Sequence, residues 1–154
     1  MSELPAQGPL AGLDPGRSKC GLVRTDASRH RIEAALVLSP DETLQQLSSW
    51  IRCRQVSALV LGNGTGSQAW LQRLQPLCPV LLVDERGSTL AARPRYWQLH
   101  PARGWQRLLP LGLRQPPRPW DDVVAQVLLE RTLGYRLDCY LDRPFPGPGV
   151  APSP

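Results

Sequence analysis

No stretch of the sequence approaches the roughly 18 consecutive apolar residues that span a bilayer, and its start, MSELPAQGPL, has neither the basic nor the apolar region of a secretory signal. A membrane partner is therefore not expected, and the chain reads as cytoplasmic. Paired cysteines are also lacking: Cys20, Cys53, Cys78 and Cys139 are scattered, with no C-x-x-C and no neighbouring histidine. That spacing signals neither a zinc site nor a disulfide framework, and reduced thiols are expected. Lysine is nearly absent. Lys19 is the only one, although Lys and Arg together number 18 against 13 acids, for a net charge of +5. Arginine's planar fork binds two phosphate oxygens at once, which suits a nucleic-acid partner. An Ala-, Gly-, Pro- and Arg-rich composition also follows from a GC-rich genome, so charge alone does not decide.

What is present is enough for one domain, since 154 residues supply one ordinary core and not two. Residues 1–9 read as a flexible leader, residues 10–137 as the domain, and residues 138–154 as a Pro-rich tail that cannot form a helix or a central strand. PLAGLD and KCGLVR are short apolar pieces separated by the turn residues PGRS, and RIEAALVLS is a third strand candidate, which predicts an antiparallel meander. The period then changes. Ser39, Pro40 and Glu42 make a capping box with proline at the first helical position, and Leu44, Leu47 and Ile51 continue at helical spacing. SALVLG and PVLLVDE are buried-strand runs on either side of SQAWLQRLQPL, a helix with Trp70, Leu71 and Leu74 on one face. Strand, helix, strand implies a parallel pair with a right-handed crossover. STLAARPRYWQL begins helically, but Pro94 is expected to kink or stop it. A last helix is predicted from about Asp121 to Leu133. There is no internal repeat, and the pattern predicts an α/β domain with a mixed five-stranded sheet flanked by helices.

Acids fall where such a sheet does its chemistry, at strand ends. Asp14 closes the first strand, Asp84 and Glu85 close the fifth, and Asp121 with Asp122 opens the final helix. Alternation puts Asp84 and Glu85 on opposite faces. At 100° per residue Asp121 lines up with Ala125, Leu128 and Thr132 on the arc that faces the sheet, whereas Asp122 shares its side with Gln126 and Glu130 and is expected in solvent. Converging carboxylates suit a hard divalent ion, and two such ions about 4 Å apart can hydrolyse a phosphodiester. Each acid also has a plainer use: Asp14 before Pro15 and Gly16 as a turn acceptor, Asp121 and Asp122 as an N-cap pair, and Glu85 with Arg86 as a surface ion pair.

Three segments in this order, GLDPGRSKCGLV, VDERGST and DDVVAQVLLER, resemble the YqgF or RuvX-like nucleases, Holliday-junction-resolvase-like proteins of the ribonuclease H fold. The resemblance covers roughly Leu10 to Tyr135. It implies a ribonuclease H-like sheet, Asp14, Glu85 and Asp121 as catalytic, metal-binding acids, Mg²⁺ or Mn²⁺ as cofactor, and structured RNA or branched DNA as partner. By the same resemblance, maturation of the small-subunit ribosomal RNA precursor and resolution of junctions are the associated activities. Arg86 and Thr89 match the DER segment, and Arg17 and Lys19 sit in the first turn, where a phosphate would pass. Arg93 and Arg118, with Arg95, Arg103, Arg107 and Arg114, are interleaved with Trp97, Trp105 and Trp120, a combination able to grip phosphates and stack bases.

The sequence departs from the family at three points. Gly87 replaces an apolar residue, Pro94 interrupts a helix, and GNGTGSQ replaces a longer loop. GNGTG lacks the frame of a nucleotide-binding motif and reads as a strand-to-helix turn lining the cleft. Many resolvase-type relatives carry an acid at the end of the fourth strand, where Gly62 and Asn63 stand here. For a strand order 3-2-1-4-5, Glu85 must then reach across one strand, since the first and fifth strands lie about 9.6 Å apart. Three readings remain open on the residues alone: a metal-dependent nuclease, a catalytically inactive nucleic-acid-binding or ribosome-assembly module on the same fold, or a small protein-interaction domain whose arginine richness is only genomic composition.

Overall fold

The computed structural model describes residues 3–64, 66–102, 104–110, 113–114 and 119–139. Strands β1 (Leu10–Asp14), β2 (Cys20–Thr25) and β3 (Arg31–Leu38) form the expected meander, with Gly12 opposite Val23 and Asp14 opposite Gly21. Helix α1 (Pro40–Arg52) then leads to β4 (Ala58–Gly62), which runs parallel to β1, and helix α2 (Ser67–Leu74) leads to β5 (Val80–Val83), parallel to β4. Ser39 and Glu42 close the capping box reciprocally, side chain to backbone in both directions, which satisfies two backbone donors where α1 turns off β3.

After β5 come helix α3 (Ser88–Leu99), a 3₁₀ turn at Gly104–Leu108, helix α4 (Asp121–Leu133) and a two-residue strand β6 (Asp138–Cys139) that pairs in parallel with β3. The sheet order is β5-β4-β1-β2-β3-β6. The expected mixed α/β sheet is present in the strand order 3-2-1-4-5, with six strands rather than five. The sixth begins at the residue where the tail was expected. Two residues carry no periodicity, so no sequence pattern marks them.

Period-two alternation divides the sheet between two cores. Ala11, Leu13, Leu22, Leu59 and Leu61 face α1 and α2, where they meet Leu47, Trp50, Trp70 and Leu74. Leu10, Val23, Ile32 and Val60 face the other way, onto Ala125, Leu128 and Leu129 of α4. Asp14 is two residues on from Gly12, which touches α4, so the alternation carries Asp14 to the α4 face.

Two expectations about the helices are corrected. Asp122 and Gln126 are buried, and the Glu130 side chain is only 10% exposed. The reason is that α4 is covered twice: by the sheet on one side, and on the other by α3, where Ala92, Tyr96 and Trp97 pack on Val123, Val124 and Val127. A helix clothed on both sides has no solvated arc for 100° spacing to reveal. Inside that interface Arg95 Nε donates to Glu130 Oε1 at 3.0 Å, Arg95 Nη2 to the Leu137 carbonyl at 3.0 Å, and Gln126 Nε2 to Glu130 Oε1 at 3.2 Å. The second correction is that α3 continues through Pro94 to Leu99. Proline there removes the N–H that would reach the carbonyl of Leu90, a residue 81% exposed, where water can donate to that carbonyl in its place.

No helix among the described residues is long and apolar enough to cross a membrane.

Candidate functional site

The site is built at one end of the sheet by the α4 face. Asp14 ends β1 and lies opposite Gly21 of β2. Over Gly21 the first turn of α4 comes down so closely that a Cβ there would stand 1.8 Å from the Asp121 carbonyl oxygen. The missing side chain of Gly21 therefore brings Asp121 to the strand pair that carries Asp14. On the other flank, Leu13 pairs with Leu61, which sets Gly62 one step further along β4 beside Asp14. Glu85 leaves the end of β5 and leans over this glycine: a Cβ on Gly62 would lie 2.8 Å from Glu85 Oε2. The long carboxylate thus spans the strand between β5 and β1.

Electrostatics agree with this placement. The Asp14 carboxyl is pushed up from 3.8 to about 7, first by burial and then by the negative charges of Glu85 and Asp121. Glu85 Oε2 is buried and accepts no hydrogen bond, an arrangement costly for a carboxylate unless a cation or donor completes it. Among the described residues no three His, Cys, Asp or Glu side chains form a ready-made metal cage. The three acids share one field rather than one tight ligand shell. Half-buried, oxygen-only and negative, this donor set fits a hard divalent ion such as Mg²⁺ or Mn²⁺.

The weakened acidity of Asp14 has a consequence for folding. An unfolded chain releases the Asp14 proton near pH 4 and the folded chain near pH 7, so the folded state binds more protons between those values. Its contribution to stability is complete below about pH 4 and is lost as pH rises through about 7. We expect metal-free protein to lose roughly 2–4 kcal/mol over that range from this group. Denaturant unfolding at stepwise pH in a chelating buffer measures it.

The structure places the other sequence-derived residues as follows. Arg17 and Lys19 are exposed in the turn after Asp14, and Arg86 and Thr89 are exposed after Glu85. A cavity of about 460 Å³ opens on the Lys19 side, against Pro119 and Asp122. Arg93 stacks its guanidinium over Trp120, 5.7 Å from the ring centre, immediately before Asp121. Arg118 and Arg103 lie outside the described residues. Asp84 accepts the Arg86 N–H at 2.9 Å in a local turn. Trp105 is 70% exposed, whereas Trp97 belongs to the α3–α4 core. Arg95 is spent in that same interface. Arg114 lies over Trp97 and donates to the Leu109 carbonyl. Neither of these two arginines is free for phosphate.

Cys20, Cys53, Cys78 and Cys139 form no disulfide with one another. Burial pushes the Cys20 thiol up, against the lowering effect of its hydrogen bonds with the Gly16 carbonyl and Thr43, and the charges of Asp14 and Asp121 add to the rise. Burial likewise pushes Cys78 up to about 11. Neither buried thiol is a nucleophile near neutral pH.

Several residues that shape the site carried no chemical signal in the sequence. Gly21 and Gly62 act by having no side chain. Asn63 Oδ1 accepts the Glu85 N–H at 3.2 Å, and Arg131 Nη1 donates to the Arg86 carbonyl at 3.0 Å, so α4 grips the loop that holds Glu85. Only the glycines of GNGTG could have drawn attention, as a turn lining the cleft.

No protein-family profile matches the chain. A Zymomonas mobilis protein named as a candidate pre-16S rRNA nuclease is 33% identical over 109 residues, covering 57% of this chain and 63% of that protein. The chain is similar to that nuclease. This bears out the family resemblance, and the match spans less than two thirds of the relative's own length. Among solved structures, Thermus thermophilus RuvC in complex with a Holliday junction substrate is 15% identical with a TM-score of 0.45, covering 82% of this chain and 96% of RuvC. The Mn-soaked nuclease domain of the human cytomegalovirus terminase is 16% identical with a TM-score of 0.42, covering 81% of this chain and 83% of that domain.

Proposed function

We propose that the chain is a divalent-metal-dependent nuclease acting on structured nucleic acid, with precursor small-subunit ribosomal RNA as the first substrate to test. The observation that carries this reading is the Glu85 carboxylate: it is turned inward, with one oxygen buried and unsatisfied, towards an Asp14 whose acidity its charge already weakens. A carboxylate serving only as a surface ion pair would point the other way. Asp14, Glu85 and Asp121 are the residues that hold the metal. A divalent ion supplies Lewis acidity and a more acidic water for attack on phosphorus. Arg17 and Lys19 on one side and Arg86 and Thr89 on the other bind the phosphates that flank the scissile bond, and Arg93 braces Trp120 at the entry to α4. RuvC's junction and the relative's ribosomal precursor give the two substrate classes to compare.

The test is cleavage of a precursor ribosomal RNA fragment and of a four-way DNA junction in Mg²⁺ or Mn²⁺. Cleavage by wild-type protein, with loss of cleavage but retained binding in Asp121→Asn, supports the reading. Binding of both substrates that is steeply salt-dependent, without cleavage of either and unchanged on neutralising the acids, replaces it with a binding module on the same fold.

A further inference from the structure

Glu85 belongs to the loop after β5, yet its carboxylate stands over the end of β4, and the residues beneath it have no side chains. A Cβ on Gly64 would lie 2.1 Å from Glu85 Oε1, 2.7 Å from Cδ and 2.8 Å from Oε2. All three distances are shorter than real Cβ atoms tolerate. Gly64 is not among the glycines with positive φ, so an L-residue can adopt its backbone and glycine serves there for space alone. Between the two glycines, the Asn63 N–H donates to the Val83 carbonyl at 2.9 Å while its side-chain oxygen takes the Glu85 N–H at 3.2 Å. Asn63 thereby ties the end of β4 to both sides of the turn that follows β5.

We propose that Gly62, Asn63 and Gly64 form a cradle that holds the Glu85 carboxylate over the end of β4, beside the strand that ends in Asp14. Asn63 and Gly64 are positioning residues, acting on the metal only through Glu85. The inference rests on the reading of Asp14, Glu85 and Asp121 as metal-binding acids, and adds that the glycine loop decides whether the third acid arrives. The nature of the clash makes this separable from folding. What a Cβ at Gly64 meets is the tip of a flexible side chain, which can swing away with the backbone in place. Alanine there displaces the carboxylate and leaves the fold.

The experiment is a calorimetric Mn²⁺ titration of the full chain, without nucleic acid, for wild type, Gly64→Ala, Glu85→Ala and the double variant. Gly64→Ala and Glu85→Ala are each expected to weaken Mn²⁺ binding by about 10-fold or more. The double variant is expected to be no weaker than Glu85→Ala alone, because both changes remove the same contact. Metal-free Gly64→Ala is expected to unfold within about 3 °C of wild type, and Gly64→Ser repeats the measurement with a second small side chain. Wild-type Mn²⁺ affinity in both glycine variants overturns the cradle, as does a loss that adds fully to that of Glu85→Ala or that follows unfolding. Failure of the wild type to bind Mn²⁺ is a different result: it removes the metal reading, and the cradle's purpose with it.

Discussion

Replacing Asp14 by asparagine is expected to make the metal-free protein more stable above pH 7 and, in the same step, to cost it its divalent metal. Above about pH 7 the wild-type carboxylate is ionised where burial and the charges of Glu85 and Asp121 all oppose it. Asparagine keeps the shape and drops the charge. The gain is the strain relieved, roughly 2–4 kcal/mol, or about 5–10 °C in unfolding temperature for a chain of this size. Below about pH 4 Asp14 is protonated in both states, and the difference between variant and wild type closes. A bound cation reverses the balance, because the converging charge that destabilises the empty site is what attracts it. Excess Mn²⁺ is therefore expected to raise the unfolding temperature of wild type and not that of Asp14→Asn, whose affinity falls by more than about 100-fold. Unfolding scans with chelator and with Mn²⁺ give both halves. A metal-free variant less stable than wild type above pH 7 would show Asp14 to be an ordinary turn acceptor.

Gly21→Ala is expected to be strongly destabilising. Its Cβ would fall 1.8 Å from the Asp121 carbonyl oxygen, 2.2 Å from the carbonyl carbon and 2.7 Å from the Asp122 nitrogen. These are backbone atoms at the start of a buried helix, so relief requires the first turn of α4 to lift off β2. The cost is put at about 3 kcal/mol, towards the upper range for overpacking. Lifting that turn also withdraws Asp121 from Asp14, so the protein that does fold should bind Mn²⁺ more weakly. Urea unfolding reads the stability, with a lower midpoint at unchanged slope. Gly64→Ala, where the obstacle is a side-chain tip, is the internal contrast. Equal stability in the two alanine variants would contradict the close approach of α4 to the sheet.

How far the sequence could be read follows from which kinds of contact write a local pattern. The capping box at Ser39 and Glu42, the two buried-strand runs and the glycine turn after Asp14 depend on neighbours a few residues away, and each is found where its spacing put it. The sheet order then follows from handedness and short connections. Asp121 against Asp122 was a matter of helix phase, and the phase argument failed for Asp122, Gln126 and Glu130 because α3 covers the side of α4 that the sheet does not. Arg95 looked like one more surface arginine. Its partners Glu130 and Leu137 are 35 and 42 residues away, beyond any window. Glu85's reach across β4 was a geometric requirement in the sequence, and the means of meeting it, side-chain-free positions at Gly62 and Gly64, has no chemical signature at all.

Three carboxylates, from β1, the β5 loop and α4, are expected to converge on one divalent cation. A crystal of the full chain soaked in Mn²⁺, with anomalous data collected near the manganese edge, tests this without any assumption about substrate. The expected result is anomalous density between Asp14, Glu85 and Asp121, lost in Asp14→Asn crystals grown alike. Density bound elsewhere, with these three acids uncoordinated and Glu85 turned to solvent, would contradict it.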